Sequence, residues 1–384
     1  MLEQQQPTGS SPSGAGAGRR RRRRTLHIVA WASAGLVLVG ASGAGYLYHR
    51  LNANIHSVDI DGALGGHRPA PLGNGAMDIL VLGSDSRSGA NRGYGHDSGT
   101  ARSDTAMVVH LDSGHKAASV VSIPRDTLVD RPACRTPKHG RHGAAGTAPA
   151  APHVMFNTAY EVGGPVCAVK TVERLTGLRM DHYVEVDFTG FKDLVNALGG
   201  VPLTTSAAIH DPKSHLSLAA GRHTLDGAQA LGLVRTRHGV ADGSDLGRIQ
   251  LQQAFMKALL DRIAGIGLFT SPTKLFSVAD TSTRAVTTDT GLGSVNKLMG
   301  LGESVRHLKS GHVHMVTLPV RYAVSDPNRV EPIDAQARKV WAALRADKPI
   351  PAAATKGSVA DRVDAGKVVA PHTAPHPSPS TSGR

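Results

Sequence analysis

Aromatic side chains make up only 4% of the 384 residues, and the chain has just two cysteines. So few rings leave no aromatic–basic interleaving of the kind that stacks nucleic acid, and no helix-turn-helix pattern takes its place. Nucleic acid is therefore not an expected partner. Two cysteines cannot build a cysteine-rich metal site or a multiply bridged scaffold. Familiar catalytic signatures are missing too: there is no GxxxxGK[ST] phosphate loop, no GxGxxG after a strand, no GxSxG elbow and no HExxH. The serines of GSDSR (83–87) have no histidine nearby in sequence to form a triad. Acidic residues are also scarce. Thirty Asp and Glu against 43 Lys and Arg leave a net charge of +13, which favours an anionic partner such as a charged lipid or a phosphorylated substrate.

Part of that excess is local. Arg19 to Arg24 form an unbroken run, and Leu26–Tyr48 follows it with no acidic or lysine residue. The stretch is close to the ~20 residues that cross a bilayer. Arginines on its N-terminal side would keep that side in the cytoplasm and the remainder outside. A cleaved signal peptide competes, with Ala41-Ser42-Gly43-Ala44 as its cleavage site, but the apolar stretch is long for one. The expected layout is a disordered basic tail (1–25), a single transmembrane helix (26–48), an extracytoplasmic spacer (49–75), a folded domain (76–349) and a disordered Ala/Pro/Ser tail (350–384). Outside the membrane, an even cysteine count suggests one disulfide, Cys134–Cys167, with two free thiols as the alternative. The basic, His-containing insertion 131–153 reads as solvated loop.

From Met77, the segments DILVL, TAMVVHLD and AASVVSIP read as three strands of an antiparallel meander. A meander brings the end of the first strand, the start of the second and the end of the third to one rim. Asp85, Arg87, Arg102, Asp104 and Arg125 should therefore gather there. Further on, Asp226 is a candidate N-cap for a helix. In the apolar run LGLVRTR, Arg235 and Arg237 alternate as on a strand and would share a face. Asp242 and Asp245 follow, and Arg248 and Gln252 lie four apart on one side of a helix. Carboxylates among several arginines suit a phosphate-bearing ligand, with a divalent ion on Asp85 and Asp104. A network of salt bridges at a sheet edge is the structural alternative.

The ordered segments ILVLGSDSRSG, RSDTAMVVHLD, VVSIPRDT, FNTAYEVGGP, DHYVEVDFTGF, LVNALGGV, TLDGAQAL, VRTRHG and SDLGRIQ, spread over 77–262, resemble the LytR-CpsA-Psr family of cell-wall enzymes. The resemblance implies an α/β fold: a three-layer α/β/α sandwich with a central mixed, largely antiparallel sheet and a hydrophobic tunnel for a polyprenyl chain. It also implies a membrane-anchored phosphotransferase that moves a glycopolymer (teichoic acid, capsular or arabinogalactan-like) from a polyprenyl-pyrophosphate carrier to peptidoglycan. By motif, Asp85 and Asp104 correspond to the metal-binding aspartates, for Mg²⁺ or Mn²⁺. Arg102, Arg125, Arg235 and Arg237 correspond to arginines at the pyrophosphate, and Asp245, Arg248 and Gln252 to the polar set beyond them. Arg87 lies within the GSDSR motif. Leu251 and Met155 stand where the family commonly carries basic residues. A metal aspartate or Asp245 is a candidate to accept the acceptor hydroxyl's proton. A lipid-pyrophosphate phosphatase and a non-catalytic binder of lipid-linked polymer are the competing readings.

Overall fold

The computed structural model describes residues 42–43, 45–84, 103–136, 146–238, 240, 243–267, 271–363 and 368–371. The chain divides into two compact units, Met1–Leu51 and Asn52–Arg384. In the first, the described residues are helical and, up to Arg50, exposed, Tyr46 and Tyr48 included. Most of the expected membrane span, 26–48, lies outside the described residues. Among those described, no helix is long and apolar enough to cross a membrane.

The second unit is built on a seven-stranded sheet. Its strands are β1 (His56–Val58), β2 (Met77–Ser84), β3 (Ser103–Leu111), β4 (Ala118–Ile123), β5 (His182–Asp187), β6 (Val286–Asp289) and β7 (Val313–Thr317), in the order β1-β6-β5-β2-β3-β4-β7. The meander is present: β2 pairs antiparallel with β3, and β3 with β4. The sheet is not largely antiparallel, however. The pairs β1–β6, β2–β5 and β4–β7 are parallel, as many as the antiparallel ones. Parallel neighbours require long crossovers, and helix α1 (Asn157–Thr176) supplies one on the way from β4 to β5, after which comes helix α2 (Phe188–Ala197).

Strand alternation sends successive side chains to opposite faces. Leu80, Leu82, Ala106, Val108, Val121 and Ile123 share one face. It is sealed by Ala168, Val169 and Val172 of α1 and by Val340, Trp341 and Leu344 of the helix Asp334–Arg345. Ile79, Met107, Leu111 and Val120 point the other way. There Val81, Val109, Val184 and Met315 are only partly buried, and so are Leu260 and Leu301 from the helices that cover that face. Helices on both faces make the expected α/β/α sandwich, sealed on one side and looser on the other.

Three expectations about the margins are corrected. The spacer belongs to the fold, since β1 pairs with β6, Ile60 enters the main core, and Arg68 is buried against Glu173 at 2.6 Å. Within the tail, Ala354 and Ala360 are core residues, and Val369–Pro371 pairs with the strand Val201–Thr205. The insertion carries the strand pair Cys134–Thr136 and Gly146–Ala148, and a strand Ala151–Met155 paired with Leu128–Arg131. Cys134 and Cys167 form the expected disulfide, which fastens the first of these strands to α1. Gly163 is needed beside it, because a Cβ there would lie 2.7 Å from the Cys167 Cβ and 2.8 Å from the Arg135 carbonyl oxygen.

Candidate functional site

The rim of the sheet carries the site. Ser84 at the end of β2 pairs with Ser103 at the start of β3, and β4 runs out into Pro124-Arg125 beside them. Asp104 and Arg125 meet there in a salt bridge. Asp85, Arg87 and Arg102 lie outside the described residues, as does Asp242.

The other half of the site comes from two helices, and here one reading is overturned. Asp226 accepts from the Gln229 amide at 2.8 Å while Gln229 reaches back to the Asp226 amide, a full capping box. The helix it starts, α3 (Gly227–Arg235), runs through LGLVR, which is therefore not a strand. A short apolar run fits a buried strand or a buried helix equally well, and the cap decides for helix. At its end the Thr236 hydroxyl bonds to the Gly232 carbonyl and to Ser214, each at 2.9 Å. Arg235 and Arg237 thus flank a buried threonine, not a strand face. The Arg235 guanidinium lies 4.7 Å from the centroid of the Phe188 ring, and Arg237 turns to Asp245.

Ser244 caps helix α4 (Asp245–Gly265), whose first turns carry Asp245, Arg248, Gln252 and Gln253. One carboxylate oxygen, Asp245 Oδ1, collects Arg248 Nη2 at 2.6 Å, Arg237 Nη2 at 3.2 Å and Arg125 Nε at 3.6 Å. Arg248 also donates to the Asp104 carbonyl at 2.7 Å and is 4% exposed. Gln252 donates to Thr105 Oγ1 and to the Val234 carbonyl, and Gln253 to Ser122 Oγ. These amides pin α4 to β3, β4 and α3, so their nitrogens serve the scaffold.

Two residues that sequence reasoning did not single out complete the rim. Asp126 follows Arg125, and Arg329 reaches it at 3.4 Å. Arg329 belongs to a hairpin, Val320–Tyr322 with Val330–Pro332, that a bridge between Thr127 and Val330 holds against the site. The segment RYAVSDPNRV reads as a polar turn, and no local pattern signals a contact 200 residues away. Between hairpin and rim lies a cavity of about 390 Å³, lined by Arg125, Asp126, Arg237, Asp245, Tyr322 and Arg329 among others.

The electrostatics favour an anion. Four arginines (125, 237, 248 and 329) face three aspartates (104, 126 and 245). Burial would raise the Asp104 carboxyl, but Arg248 and Arg125 overcome it and hold it below the usual carboxylate range. Burial lowers Arg237, and the charges of Arg248 and Arg125 lower it further. Crowded cations of this kind are relieved by a bound phosphate. Among the described residues, Arg125 Nε, Arg248 Nε, Asp245 Oδ2 and Gln252 Oε1 are buried with no hydrogen-bond partner, as in a cradle built for a ligand. An ionised Asp104 is the hard oxygen donor that Mg²⁺ takes. No group of three His, Cys, Asp or Glu among the described residues could hold a metal alone.

Leu251 is fully buried among Leu203, Leu233 and Phe255. A core position cannot present a cation to the rim, so its apolar side chain takes nothing from the site. Met155 lines a second cavity, of about 630 Å³, that shares Arg329 with the first.

Fold and site together define an α/β/α protein with an arginine-lined sheet rim suited to an anion. The chain belongs to the LytR_cpsA_psr family, whose model matches residues 47–346. It is 35% identical over 315 residues to the cell wall biosynthesis protein LcpA of Corynebacterium glutamicum, covering 76% of this chain and 59% of that protein. The chain thus spans about three fifths of that relative's length. It is 33% identical to the polyisoprenyl-teichoic acid–peptidoglycan teichoic acid transferase TagT of Bacillus subtilis, covering 61% of this chain and 69% of that one. The solved structure of TagT bound to LI-WTA is similar with a TM-score of 0.53 and 27% identity, covering 73% of this chain and 94% of that chain.

Proposed function

We propose that the protein transfers a glycopolymer from a polyprenyl-pyrophosphate carrier to peptidoglycan and releases polyprenyl phosphate. The observation that carries this reading is the convergence of Arg125, Arg237 and Arg248 on Asp245 beside Asp104, with buried donors left unpaired. A planar guanidinium binds two phosphate oxygens at once, and three of them suit a pyrophosphate. The partly buried apolar face beneath α4 suits a polyprenyl chain. Similarity to TagT, by name a teichoic acid transferase acting on a polyisoprenyl-linked polymer, supports the substrate class.

In this reading Arg125, Arg237 and Arg248 neutralise the charge that shifts between phosphates as the acceptor hydroxyl attacks the sugar-bearing phosphorus, and Arg87 and Arg235 would be further cations for the substrate by their place in the family motifs. Asp104 and Asp85 would hold Mg²⁺ or Mn²⁺, which would act as a Lewis acid on the pyrophosphate oxygens. Catalysis is then mainly positioning and electrostatics. A retained N-terminal anchor with the domain outside the cytoplasm suits a substrate that stays in the bilayer, and the disulfide fits that compartment.

The test supplies full-length protein in detergent with lipid-linked polymer, peptidoglycan and Mg²⁺, and follows polymer on peptidoglycan. Arg248→Ala and Asp104→Ala should each lose about 10²–10³ in rate. Wild-type rates in both variants would sink the assignment, and free phosphorylated fragments in place of a peptidoglycan product would make the protein a phosphatase.

A further inference from the structure

We propose that Asp126 is the catalytic base: its carboxylate takes the proton of the acceptor hydroxyl, and the acceptor sugar enters through the cavity between Asp126 and the 320–332 hairpin. The proposal rests on the transferase reading and adds to it the residue that moves the proton.

Three described carboxylates are available, and geometry separates them. Asp245 has its Oδ1 loaded by Arg248 at 2.6 Å and Arg237 at 3.2 Å, while its Oδ2 is buried out of reach. A third guanidinium, that of Arg125, stands 3.6 Å from the same Oδ1, so arginines occupy the side of Asp245 that an acceptor hydroxyl would approach. Asp104 is paired with Arg125, and its donor character is suited to the metal. Asp126 is held more loosely. Its nearest cations are Arg329 Nη1 at 3.4 Å and Arg125 Nε at 3.7 Å, its side chain keeps 19% exposure, and it forms part of the cavity wall.

The charges around Asp126 are Arg125, Arg329 and Arg237, which favour its ionised form, and Asp245, which opposes it. Burial outweighs the cations, and the carboxyl sits above its usual value. A carboxylate raised in this way is a stronger base, which favours proton transfer. Tyr322, 46% exposed, and Asn328 line the same cavity as Asp126. They supply an aromatic ring and an amide, the groups that hold a sugar.

The step balances without a further reactant. The hydroxyl oxygen forms a bond to the sugar-bearing phosphorus, and its proton passes to Asp126. The bond from that phosphorus to the bridging oxygen breaks, and its electron pair leaves with polyprenyl phosphate. Asp126 then returns the proton to solvent through the cavity.

The experiment compares wild-type, Asp126→Asn and Asp126→Glu full-length protein in the transfer assay across pH 4 to 8, alongside binding of lipid-linked polymer. Asp126→Asn should lose about 10²–10⁴ in kcat with donor binding and KM near wild type, and the acidic limb of its rate profile should vanish. Asp126→Glu should restore that limb with part of the rate. Asp126→Asn within threefold of wild type, or with an unchanged acidic limb, overturns the proposal. If the variants do not fold, the wild-type profile decides: a transfer rate flat down to pH 4 overturns it as well. Wild-type protein that transfers nothing would refute the transferase reading itself, an outcome distinct from these.

Discussion

Neutralising Asp245 without changing its shape is the sharpest probe of the site. In Asp245→Asn the amide oxygen can still accept from Arg248 at 2.6 Å and Arg237 at 3.2 Å, but without charge assistance. A charge-assisted hydrogen bond contributes roughly 1 kcal/mol more than a neutral one, so two of them lose about 2 kcal/mol. The third contact, Arg125 at 3.6 Å, is too long for a hydrogen bond and adds little. Repulsion between Arg237 and Arg248, no longer offset by that charge, brings the total to about 2–3 kcal/mol. For the Asn52–Arg384 unit, with an unfolding entropy of about 0.7 kcal/mol/K, that lowers Tm by roughly 3–4 °C. Inorganic pyrophosphate should reverse it. A ligand at a hundredfold its Kd stabilises by about 2.7 kcal/mol, and the variant, with one negative charge fewer, should gain more from it than wild type. Thermal unfolding of both proteins with and without pyrophosphate reads this directly. Equal Tm values without ligand, or no pyrophosphate effect on either protein, would refute the view that Asp245 holds an anion cradle together.

Replacing Cys134 and Cys167 by serine should cost about 3–4 kcal/mol in denaturant unfolding, from the chain entropy of a 33-residue separation. A loss below 1 kcal/mol would show that the insertion is not fastened through this bond. His110, buried with Nδ1 2.8 Å from Asp78 and Nε2 3.2 Å from Asp347, gives a pH prediction. Burial lowers its pKa, but both carboxylates raise it further, so the net shift is upward. Its contribution is therefore complete below the unfolded value of about 6.5 and fades as pH rises through the raised folded value. The stability gap between wild type and His110→Gln should narrow from pH 6 to pH 9, and a constant gap in urea unfolding contradicts the pairing.

The meander, the meeting of Asp104 with Arg125 at its rim, and the disulfide were legible because each rests on a simple rule: side chains alternate along a strand, hairpins return to the same edge, and two cysteines have only each other as partner. Arg235 was misjudged because LGLVR satisfies the strand pattern, and only the Asp226–Gln229 cap, upstream of that run, settles the matter. β1 and Val369–Pro371 were missed for another reason. Three-residue strands pair through backbone groups alone and need no apolar alternation. Asp126 stood in plain view beside Arg125, but its significance depends on Arg329 and Tyr322, which reach it from a hairpin with no periodic signature. The departure at Leu251 could be weighed only once its side chain was found inside the protein.

Helix α4 touches both ends of the chemistry. Its first turns hold Asp245 and Arg248 at the charged rim, and twelve residues on from Arg248, roughly 18 Å along the axis, Leu260 rests on the half-open apolar face. The helix is a ruler. It fixes the separation between a place for a charged head and a place for a greasy tail, and an amphiphile that reaches both has its length and polarity measured against one rigid rod. A single residue inserted between Gln253 and Leu260 would turn the far end by about 100°. The tail end would then miss its surface while the arginines stayed where they are.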